Sequence, residues 1–274
     1  MSFTHHFSVL PGDARQDHLI DILLSKGRQV AFDMPLEKLC AASPVILGPI
    51  PFSYSYDELS LIPRQLIFGG CLTKEFLLSC ERNDITAVDY MKDKELTVLN
   101  AVATAEGTVA SMIQHSYYNL HGAPVLILGF GVCAKALADR LSAMHAKICI
   151  CARDKAARAE AVSLGFEAIS FEDLWGRLPG FLFIVNTVPA LVLTKELLNF
   201  VHPECLLTDI ASAPGGIDKD SAEKLQFRFQ TLPGIPGKIS PKSSAAYMAS
   251  FLLETLRTAE VKPAKETPAQ EGSA

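Results

Sequence analysis

The sequence predicts an α/β fold of two domains, each built around a parallel β-sheet. The chain has 274 residues, which suits two compact domains at roughly 150 residues each. Short apolar runs alternate with helical patterns along most of the chain, and this order is typical of parallel sheets covered by helices. One buried run leads directly into a glycine-rich turn and a helix, so we expect both domains to be Rossmann-like.

The composition excludes several classes of protein. Hydrophobic residues make up 49% and charged residues 20%, enough to form a large core and too apolar for a disordered chain. The net charge is -5 and no basic block is present, so we expect no nucleic-acid partner. The longest apolar stretch, 181–193, contains Asn186, Thr187 and Pro189 and is shorter than the ~18 residues of a membrane span, so we expect no membrane partner.

The cysteines indicate a reducing compartment. There are seven, an odd number, and the first twelve residues lack the pattern of a secretory signal. We therefore predict free thiols in the cytoplasm. Only Cys149 and Cys151 lie close in sequence, on one face of a predicted strand and without a metal-spaced partner, so no metal site is predicted.

The first predicted domain, 1–100, contains five short apolar runs with the composition of strands. They lie at 7–10, 30–32, 45–47, 66–68 and 85–88. A helix should follow Pro11, because Leu19, Ile20, Leu23 and Leu24 then fall on one side. The loop 48–56 carries aromatic side chains, which we expect to anchor the loop; the alternative is that they rim a cleft.

The second predicted domain, 101–236, begins in a helix at 100–120. Strands are expected at 124–128, 147–151, 181–186 and 205–209, with helices up to 144 and at 156–164. Residues 237–260 are predicted to form a hinge and a helix, 243–259, that packs back on the first domain or on the hinge. Residues 261–274 are rich in Pro, Ala, Lys and Glu and are predicted to be a disordered tail.

The glycine-rich turn predicts a nucleotide site. Gly129 permits the tight turn, Gly131 lets the backbone approach a diphosphate, and Ala134 is small enough for the helix to pack on the strand. The following helix presents free N–H groups and a partial positive charge. The predicted cofactor contacts here are Gly129, Phe130, Gly131, Val132 and Cys133.

The end of the next strand favours NADP over NAD. An NAD site usually has an acidic residue there, but this chain has Ala152 followed by Arg153. A guanidinium binds a 2′-phosphate in bidentate fashion, so both positions are predicted cofactor contacts. The alternative is that Arg153 is a solvated loop residue and Asp154 contacts the ribose of NAD.

Two further strand ends should border the nicotinamide, because ligands of parallel sheets bind at the carboxyl ends of the strands. The alternative is that the polar residues there only satisfy turn backbones. The predicted contacts are Asn186, Thr187, Val188, Pro189, Asp209, Ala211 and Ser212.

Substrate-binding candidates lie at the start of the first helix. Arg15 at a helix start suits a carboxylate, with Asp13 and Gln16 beside it. The alternative is that Asp13 is an ordinary helix cap and Arg15 is exposed. Lys238 and Lys242 follow the glycine-dense segment 233–237 and are candidates for an anion, or plain surface residues.

The proton acceptor is not identified by the sequence. Asp13, Glu106 and Asp209 are candidates, and the histidines form no recognisable constellation. The predicted catalytic residues are Asp13, Arg15, Glu106 and Lys238.

An ordered set of segments resembles the family of dipicolinate synthase A subunits over about residues 7–258. These segments are 12–16, 104–107, 129–131, 152–153, 186–190, 209–216 and 233–241. Departures from the family occur at Val132 and Cys133, after the glycines, and in the loop 52–64.

The resemblance implies two domains arranged as in alanine and 2-hydroxyacid dehydrogenases. It implies NADP-linked formation of pyridine-2,6-dicarboxylate from a dihydrodipicolinate or its hydroxylated precursor, in spore-forming bacteria. The implied partner is the flavoprotein-like B subunit of dipicolinate synthase. The dianionic substrate gives Arg15, Lys238 and Lys242 a function. Thr104 and Gln16, within matching segments, are also predicted to bind substrate.

Three alternatives stay open on the sequence alone. The chain is another NAD(P)-dependent dehydrogenase of small anionic substrates, similar to alanine dehydrogenase or to shikimate dehydrogenase, or it is a non-catalytic NADP sensor. Self-association into a homo-oligomer is also open.

Overall fold

The computed structural model describes residues 4–261, with side chains up to residue 258. The chain divides into two units. Among the described residues, unit 1 comprises 4–90 and 245–261, and unit 2 comprises Met91–Ser244. The predicted domain boundary between residues 100 and 101 falls inside a helix of unit 2.

Unit 1 contains a five-stranded parallel sheet in the order β2-β1-β3-β4-β5. This is the doubly wound order of flavodoxin-like folds. Its topological switch point, where the order of the strands reverses, lies between β1 and β3. The strands are β1 Phe7–Val9, β2 Val30–Ala31, β3 Val45–Leu47, β4 Leu66–Gly69 and β5 Thr86–Asp89. The helices are α1 Ala14–Ser25, α2 Leu36–Ala42 and α3 Lys74–Arg82.

The core of unit 1 holds the aromatic loop in place. The ring of Phe52 lies 4.7 Å from that of Phe76, and Tyr56 packs on the same ring at 6.2 Å between centroids. These half-buried rings therefore anchor the loop on the core, as expected.

The last helix, α10 Pro241–Val261, belongs to unit 1 from residue 245. Its Phe251 packs edge-on against Phe68 and Tyr90, with ring centroids 6.2 and 6.0 Å apart. The helix therefore completes the core of unit 1 from a distant part of the sequence.

Unit 2 contains a six-stranded parallel sheet in the order β11-β10-β9-β6-β7-β8. Counted from β6, this is the order 3-2-1-4-5-6 of dinucleotide-binding domains, with its switch point between β6 and β9. The strands are β6 Pro124–Leu128, β7 Lys147–Cys151, β8 Glu167–Ile169, β9 Phe183–Asn186, β10 Leu206–Asp209 and β11 Arg228–Thr231.

The helices of unit 2 cover both faces of this sheet. They are α4 Lys94–His115, α5 Val132–Ala143, α6 Lys155–Ser163, α7 Lys195–Leu198, α8 Lys219–Lys224 and α9 Ile235–Ile239. Val125 and Ile127 contribute to the core on one face of β6, whereas Leu126 and Leu128 contribute to the other. Strands buried on both faces have continuous apolar sequences.

Helix α4 is a core helix of unit 2. By length and composition it is the one described helix that could cross a membrane, but half of its apolar window is buried. It packs against α5 and α9. Burial of this kind explains its apolar composition without a bilayer.

The predicted α/β class with two parallel sheets is confirmed. The glycine-dense segment 233–237 enters the helix α9 Ile235–Ile239 after Gly234, whose φ is +66°. The predicted tail, 261–274, lies outside the described residues except for Val261, the last residue of α10.

Candidate functional site

The glycine turn lies at the switch point of unit 2. Gly129 has a φ of +94°, and a Cβ there would lie 2.5 Å from Thr187 Oγ1 and 2.9 Å from Val188 Cγ2. Thr187 donates its hydroxyl hydrogen to the carbonyl of Leu128 at 2.8 Å. Only glycine fits this close approach between the ends of β6 and β9.

The amino end of α5 is open for an anion. Gly131 caps the helix without a side-chain hydrogen bond, and a Cβ built there meets no atom within 4 Å. The first N–H groups of α5, starting at Val132, therefore have no capping partner and carry the positive end of the helix dipole. A dinucleotide diphosphate fits this arrangement of residues.

Phe130 offers only its backbone to such a ligand. Its side chain is buried, with its ring centroid 6.5 Å from that of Phe166. Lys135 Nζ lies 5.4 Å from the centroid of the Phe130 ring and 2.6 Å from Glu160.

Cys133 lies in the first turn of α5 as a neutral thiol. Burial raises the pKa of this thiol, and a hydrogen bond with the Thr104 side chain offsets part of that rise. A neutral side chain at this position does not repel a diphosphate. The structure therefore brings Thr104, predicted for substrate, beside the cofactor turn.

The loop after β7 presents one free cation. Ala152 is buried, and Arg153 is exposed with no ion pair or side-chain hydrogen bond to residues 4–258. Asp154 caps α6 by accepting a hydrogen bond from the Ala156 N–H at 3.0 Å.

Arg158 stabilises the loop after β7 through hydrogen bonds. This role was not predicted from the sequence. Its Nη1 donates to the carbonyls of Ala152 at 2.7 Å and Arg153 at 2.8 Å. The partners are backbone atoms, so no residue type in the sequence marks the contact.

Asp209 organises the loop after β10. Its buried carboxylate accepts hydrogen bonds from the N–H groups of Ala211, Gly216 and Ile217 and from Asn186 Nδ2, at 2.8 to 3.2 Å. Four donors surround it, which compensates for the burial of the charge.

Asn186 organises the loop after β9 through its side-chain hydrogen bonds. Its Nδ2 also donates to the carbonyl of Val188 at 3.0 Å, and its Oδ1 accepts from the Val188 N–H at 3.0 Å. Both side chains are thus engaged within the protein. The loop residues Thr187, Val188, Pro189, Ala211 and Ser212 remain the less buried members of the predicted set.

Gly215 and Gly216 are required where these loops meet. A Cβ on Gly215 would lie 2.8 Å from Asp209 Oδ2, and one on Gly216 would lie 2.5 Å from Asn186 Nδ2. The paired glycines of the sequence were the available signal for this close approach.

The predicted cluster of unit 1 is an ion pair at the start of α1. Asp13 caps the helix by accepting from the Arg15 N–H at 3.0 Å, and its carboxylate also accepts from Arg15 Nε and Nη2. Arg15 Nη2 donates further to the carbonyl of Ile50. The alternative of an exposed Arg15 is wrong, because its side chain is buried, whereas the helix cap at Asp13 is present.

Arg15 lowers the pKa of the Asp13 carboxyl. Burial raises the pKa of Asp13, but the hydrogen bonds and positive charge of Arg15 outweigh it, and the net shift is downward. The carboxylate is therefore held ionised, as an orienting group for the guanidinium.

Gln16 joins the ends of two strands at the switch point of unit 1. Its Nε2 donates to the carbonyls of Leu10 at 3.1 Å and Leu47 at 3.2 Å, and its buried Oε1 has no hydrogen-bond partner in the described part of the chain.

The remaining candidates of unit 2 are dispersed. Glu106 is exposed and lies 3.8 Å from Nε of Arg140, whose guanidinium also donates to the carbonyl of Ala136 in α5. Lys238 on α9 and Lys242 at the start of α10 are exposed. Thr104 thus lies beside Cys133 of the glycine turn, whereas Glu106 is paired with Arg140.

The sequence relationship decides the family. The A subunit of dipicolinate synthase from Bacillus subtilis (strain 168) is 30% identical over 210 residues, which are 76% of this chain and 71% of that protein. The chain belongs to the dipicolinate synthase A-subunit family. The resemblance predicted from the sequence segments is therefore confirmed.

Solved structures agree with membership of the dipicolinate synthase A-subunit family. The A subunit from Bacillus halodurans has a TM-score of 0.83 and 26% identity, covering 96% of this chain and 100% of that chain. Transhydrogenase from Sinorhizobium meliloti has a TM-score of 0.71 at 14% identity, covering 93% and 94%, and shows the fold alone.

Residues 94–202 match the NAD-binding domain of D-isomer specific 2-hydroxyacid dehydrogenases. This range includes α4, the glycine turn and the ends of β7 and β9. The protein is thus a dehydrogenase-type oxidoreductase with a domain for a nicotinamide dinucleotide.

Proposed function

We propose that this protein is an NADP-dependent oxidoreductase that forms dipicolinate from dihydrodipicolinate or its hydroxylated precursor. Membership of the A-subunit family supports the reaction class. The observation that carries the cofactor choice is Arg153, an exposed and unpaired guanidinium beside Ala152, where NAD sites place a carboxylate.

In this proposal the chain holds the dinucleotide along the carboxyl edge of the unit 2 sheet. The turn from Gly129 to Cys133 binds the diphosphate, and Arg153 binds the 2′-phosphate as a charge-assisted pair. The loops that start at Thr187 and Ala211 border the nicotinamide, which accepts a hydride from the substrate ring. Asp209 and Asn186 position these two loops through the hydrogen bonds described above.

The substrate is a dianion, and cationic side chains are the matching partners. In unit 1, the Nη1 nitrogen of Arg15 makes no hydrogen bond to any described residue, so its two N–H groups remain for a carboxylate. Asp13 and Gln16 orient this region. In unit 2, Lys238 and Lys242 supply exposed ammonium groups, and Thr104 supplies a hydroxyl beside the glycine turn.

Oxidation of the dihydropyridine ring removes a hydride and one proton. The product ring is aromatic, which favours hydride loss and lowers the demand for a strong base. Asp13 and Glu106 are the proposed acceptors of the proton, the former held ionised by Arg15.

The flavoprotein-like B subunit of dipicolinate synthase is the proposed protein partner, because the relatives are the A subunits of that enzyme. We place the protein in the cytoplasm of a spore-forming bacterium. The thiols support this compartment, since five of the seven cysteines are buried thiols. Self-association of the chain remains a proposal for measurement by light scattering.

The cofactor choice is tested by paired titrations with NADPH and NADH. The wild type should prefer NADPH, and Arg153→Ala should weaken NADPH about 10- to 150-fold, the equivalent of roughly 1.5–3 kcal/mol for a charge-assisted hydrogen bond. The affinity for NADH should stay unchanged. Lys147→Ala is the matched control, because it removes a cation at the other end of the same strand. Equal wild-type affinities for the two cofactors would overturn the assignment.

The reaction is tested by absorbance at 340 nm. Purified protein is mixed with NADP⁺ and freshly made dihydrodipicolinate precursor, with and without the B subunit. Absorbance should rise as NADPH forms. No rise in the presence of the B subunit would favour an NADP sensor without catalysis.

A further inference from the structure

Asn100, on helix α4, has a buried oxygen without a partner. The residue is 6% exposed, and its Oδ1 accepts no hydrogen bond from residues that the structure describes. An unpaired buried polar atom destabilises a folded protein, so such atoms usually meet a partner. A ligand group that donates a hydrogen bond at this position would satisfy the oxygen.

The hydrogen bonds of α4 show where Asn100 lies in unit 2. Helix α4 packs against α5, and Thr104 lies beside Cys133 in the first turn of α5, at the carboxyl edge of the sheet. Farther along α4, Ser111 donates to Gln230 near the carboxyl end of β11 at 2.7 Å. Four residues later, the carbonyl of His115 accepts from Arg228, the first residue of β11. The helix therefore runs from the carboxyl edge towards the amino edge.

Asn100 lies one helical turn before Thr104, about 6 Å nearer to the amino end of α4 at 1.5 Å per residue. The Thr104 hydroxyl donates to the Asn100 carbonyl at 3.1 Å, so the two residues share one face of the helix. Asn100 is thus at the carboxyl edge, close to the glycine turn.

The sheet order assigns this position to one half of a dinucleotide. Arg153 follows β7, on one side of the glycine turn, and β9 and β10 lie on the other side. Helix α4 packs against β10. A dinucleotide with its 2′-phosphate at Arg153 and its diphosphate at the turn extends its nicotinamide riboside towards β9 and β10.

We infer that Asn100 binds the nicotinamide riboside of the dinucleotide, with its side-chain oxygen accepting a hydrogen bond from a ribose hydroxyl or from the carboxamide N–H. This inference rests on the proposed dinucleotide site. Both ligand groups are neutral donors, which suits an uncharged acceptor in a buried position. Asn100 is then a specificity residue for the reactive half of the cofactor.

The test compares three ligands by calorimetric titration against the wild type and Asn100→Leu. The ligands are NADPH, 2′-phospho-ADP-ribose, which lacks nicotinamide, and 2′-phospho-ADP, which lacks the whole riboside. Asn100→Leu should bind NADPH about tenfold more weakly, the size of one neutral hydrogen bond, and should bind 2′-phospho-ADP unchanged. Weaker binding of 2′-phospho-ADP-ribose assigns the donor to the ribose, and unchanged binding assigns it to the carboxamide.

Thermal melting of the ligand-free protein separates binding from a structural role. Asn100→Leu removes an unpaired buried oxygen, so the Tm should rise or stay the same. A residue with a purely structural role would lower it. Thr108→Val is the control, because it removes a buried hydroxyl about two turns farther along α4 than Asn100 and should leave NADPH affinity unchanged.

Two results would overturn the inference while leaving the proposed function intact. These are unchanged NADPH affinity in Asn100→Leu, and equal weakening of NADPH and 2′-phospho-ADP. A wild type that binds none of the three ligands would overturn the proposed function, and the role of Asn100 with it.

Discussion

Single residues at the ends of β6 and β10 carry more structural constraint than their types suggest. Gly129 combines a positive φ with contact to a neighbouring strand end, and Asp209 places a charge among four donors. We therefore expect substitution of either residue to lower the stability of the protein.

Gly129→Ala should destabilise unit 2 by about 1–3 kcal/mol, because its Cβ would clash with Thr187 while the backbone stays in a strained region. Gly165→Ala is the control, since Gly165 has a φ of +85° with no atom within 4 Å of a Cβ. Urea denaturation of both variants isolates the steric part of the cost. Equal losses would show that close approach to Thr187 is unimportant.

Asp209→Asn should destabilise the protein by about 2–3 kcal/mol, because either orientation of the amide turns its NH₂ towards an N–H donor. The loops after β9 and β10 should loosen with it, so NADPH affinity should fall as well. Urea midpoints and titrations measure the two effects. Asp218→Asn is the control: Asp218 caps α8, where asparagine serves equally. A variant as stable as the wild type would contradict the organising role of the carboxylate.

Among the elements, the buried strands were predicted closely, whereas several short or half-exposed elements were missed. The limits of β6 and β7 were predicted correctly, because both strands are continuous apolar runs between turn residues. The edge strand β11 was missed, since its sequence Arg-Phe-Gln-Thr is only partly buried and lacks an apolar pattern. Helices α2 and α3 were missed because they are short and follow loops that gave no clear helix signal.

The site was predictable where a residue type has one chemical use. The glycine turn was visible for that reason, whereas the cofactor role of Ala152 and Arg153 stays a prediction. Contacts made to backbone carbonyls, such as those of Arg158 with Ala152 and Arg153, are not marked by any residue type in the sequence. The charged candidates Glu106 and Asp209 are engaged with Arg140 and with backbone N–H groups, which spacing alone does not reveal.

Helix α4 packs on α9 through a glycine. A Cβ on Gly107 would lie 2.4 Å from Ile235 Cγ2 and 2.9 Å from Ile239 Cγ1. Gly107→Ala should therefore destabilise the protein by about 1–2 kcal/mol through overpacking, despite the better helix propensity of alanine.

A second variant, Ile235→Leu, removes the γ2 methyl group that would clash with a Cβ at position 107. Denaturation of the two single variants and the double variant forms a cycle in which the double variant should lose less stability than the sum. Additive losses would mean that the two helices do not meet at this point.

At the scale of the whole molecule, the two units differ in how the chain builds them. Unit 2 is one continuous segment, Met91–Ser244, whereas unit 1 needs both ends of the sequence. A fragment of residues 91–244 should fold cooperatively and bind NADPH like the full chain, because it holds the complete sheet and glycine turn.

A fragment of residues 1–90 should remain unfolded, because it lacks Phe251 and the remainder of α10 against Phe68 and Tyr90. Circular dichroism and calorimetric titration of the two fragments provide the measurement. Adding residues 245–261 through a flexible linker is the control and should restore structure. A stably folded 1–90 fragment would contradict the role assigned to α10.

The split construction of unit 1 has a consequence for biosynthesis. The five strands of the amino-terminal sheet are synthesised long before Phe251. Until α10 is made, the apolar surface that Phe251 covers stays exposed to solvent. The dinucleotide domain, although synthesised later, becomes complete first. Maturation of the nascent polypeptide therefore proceeds from its middle outwards.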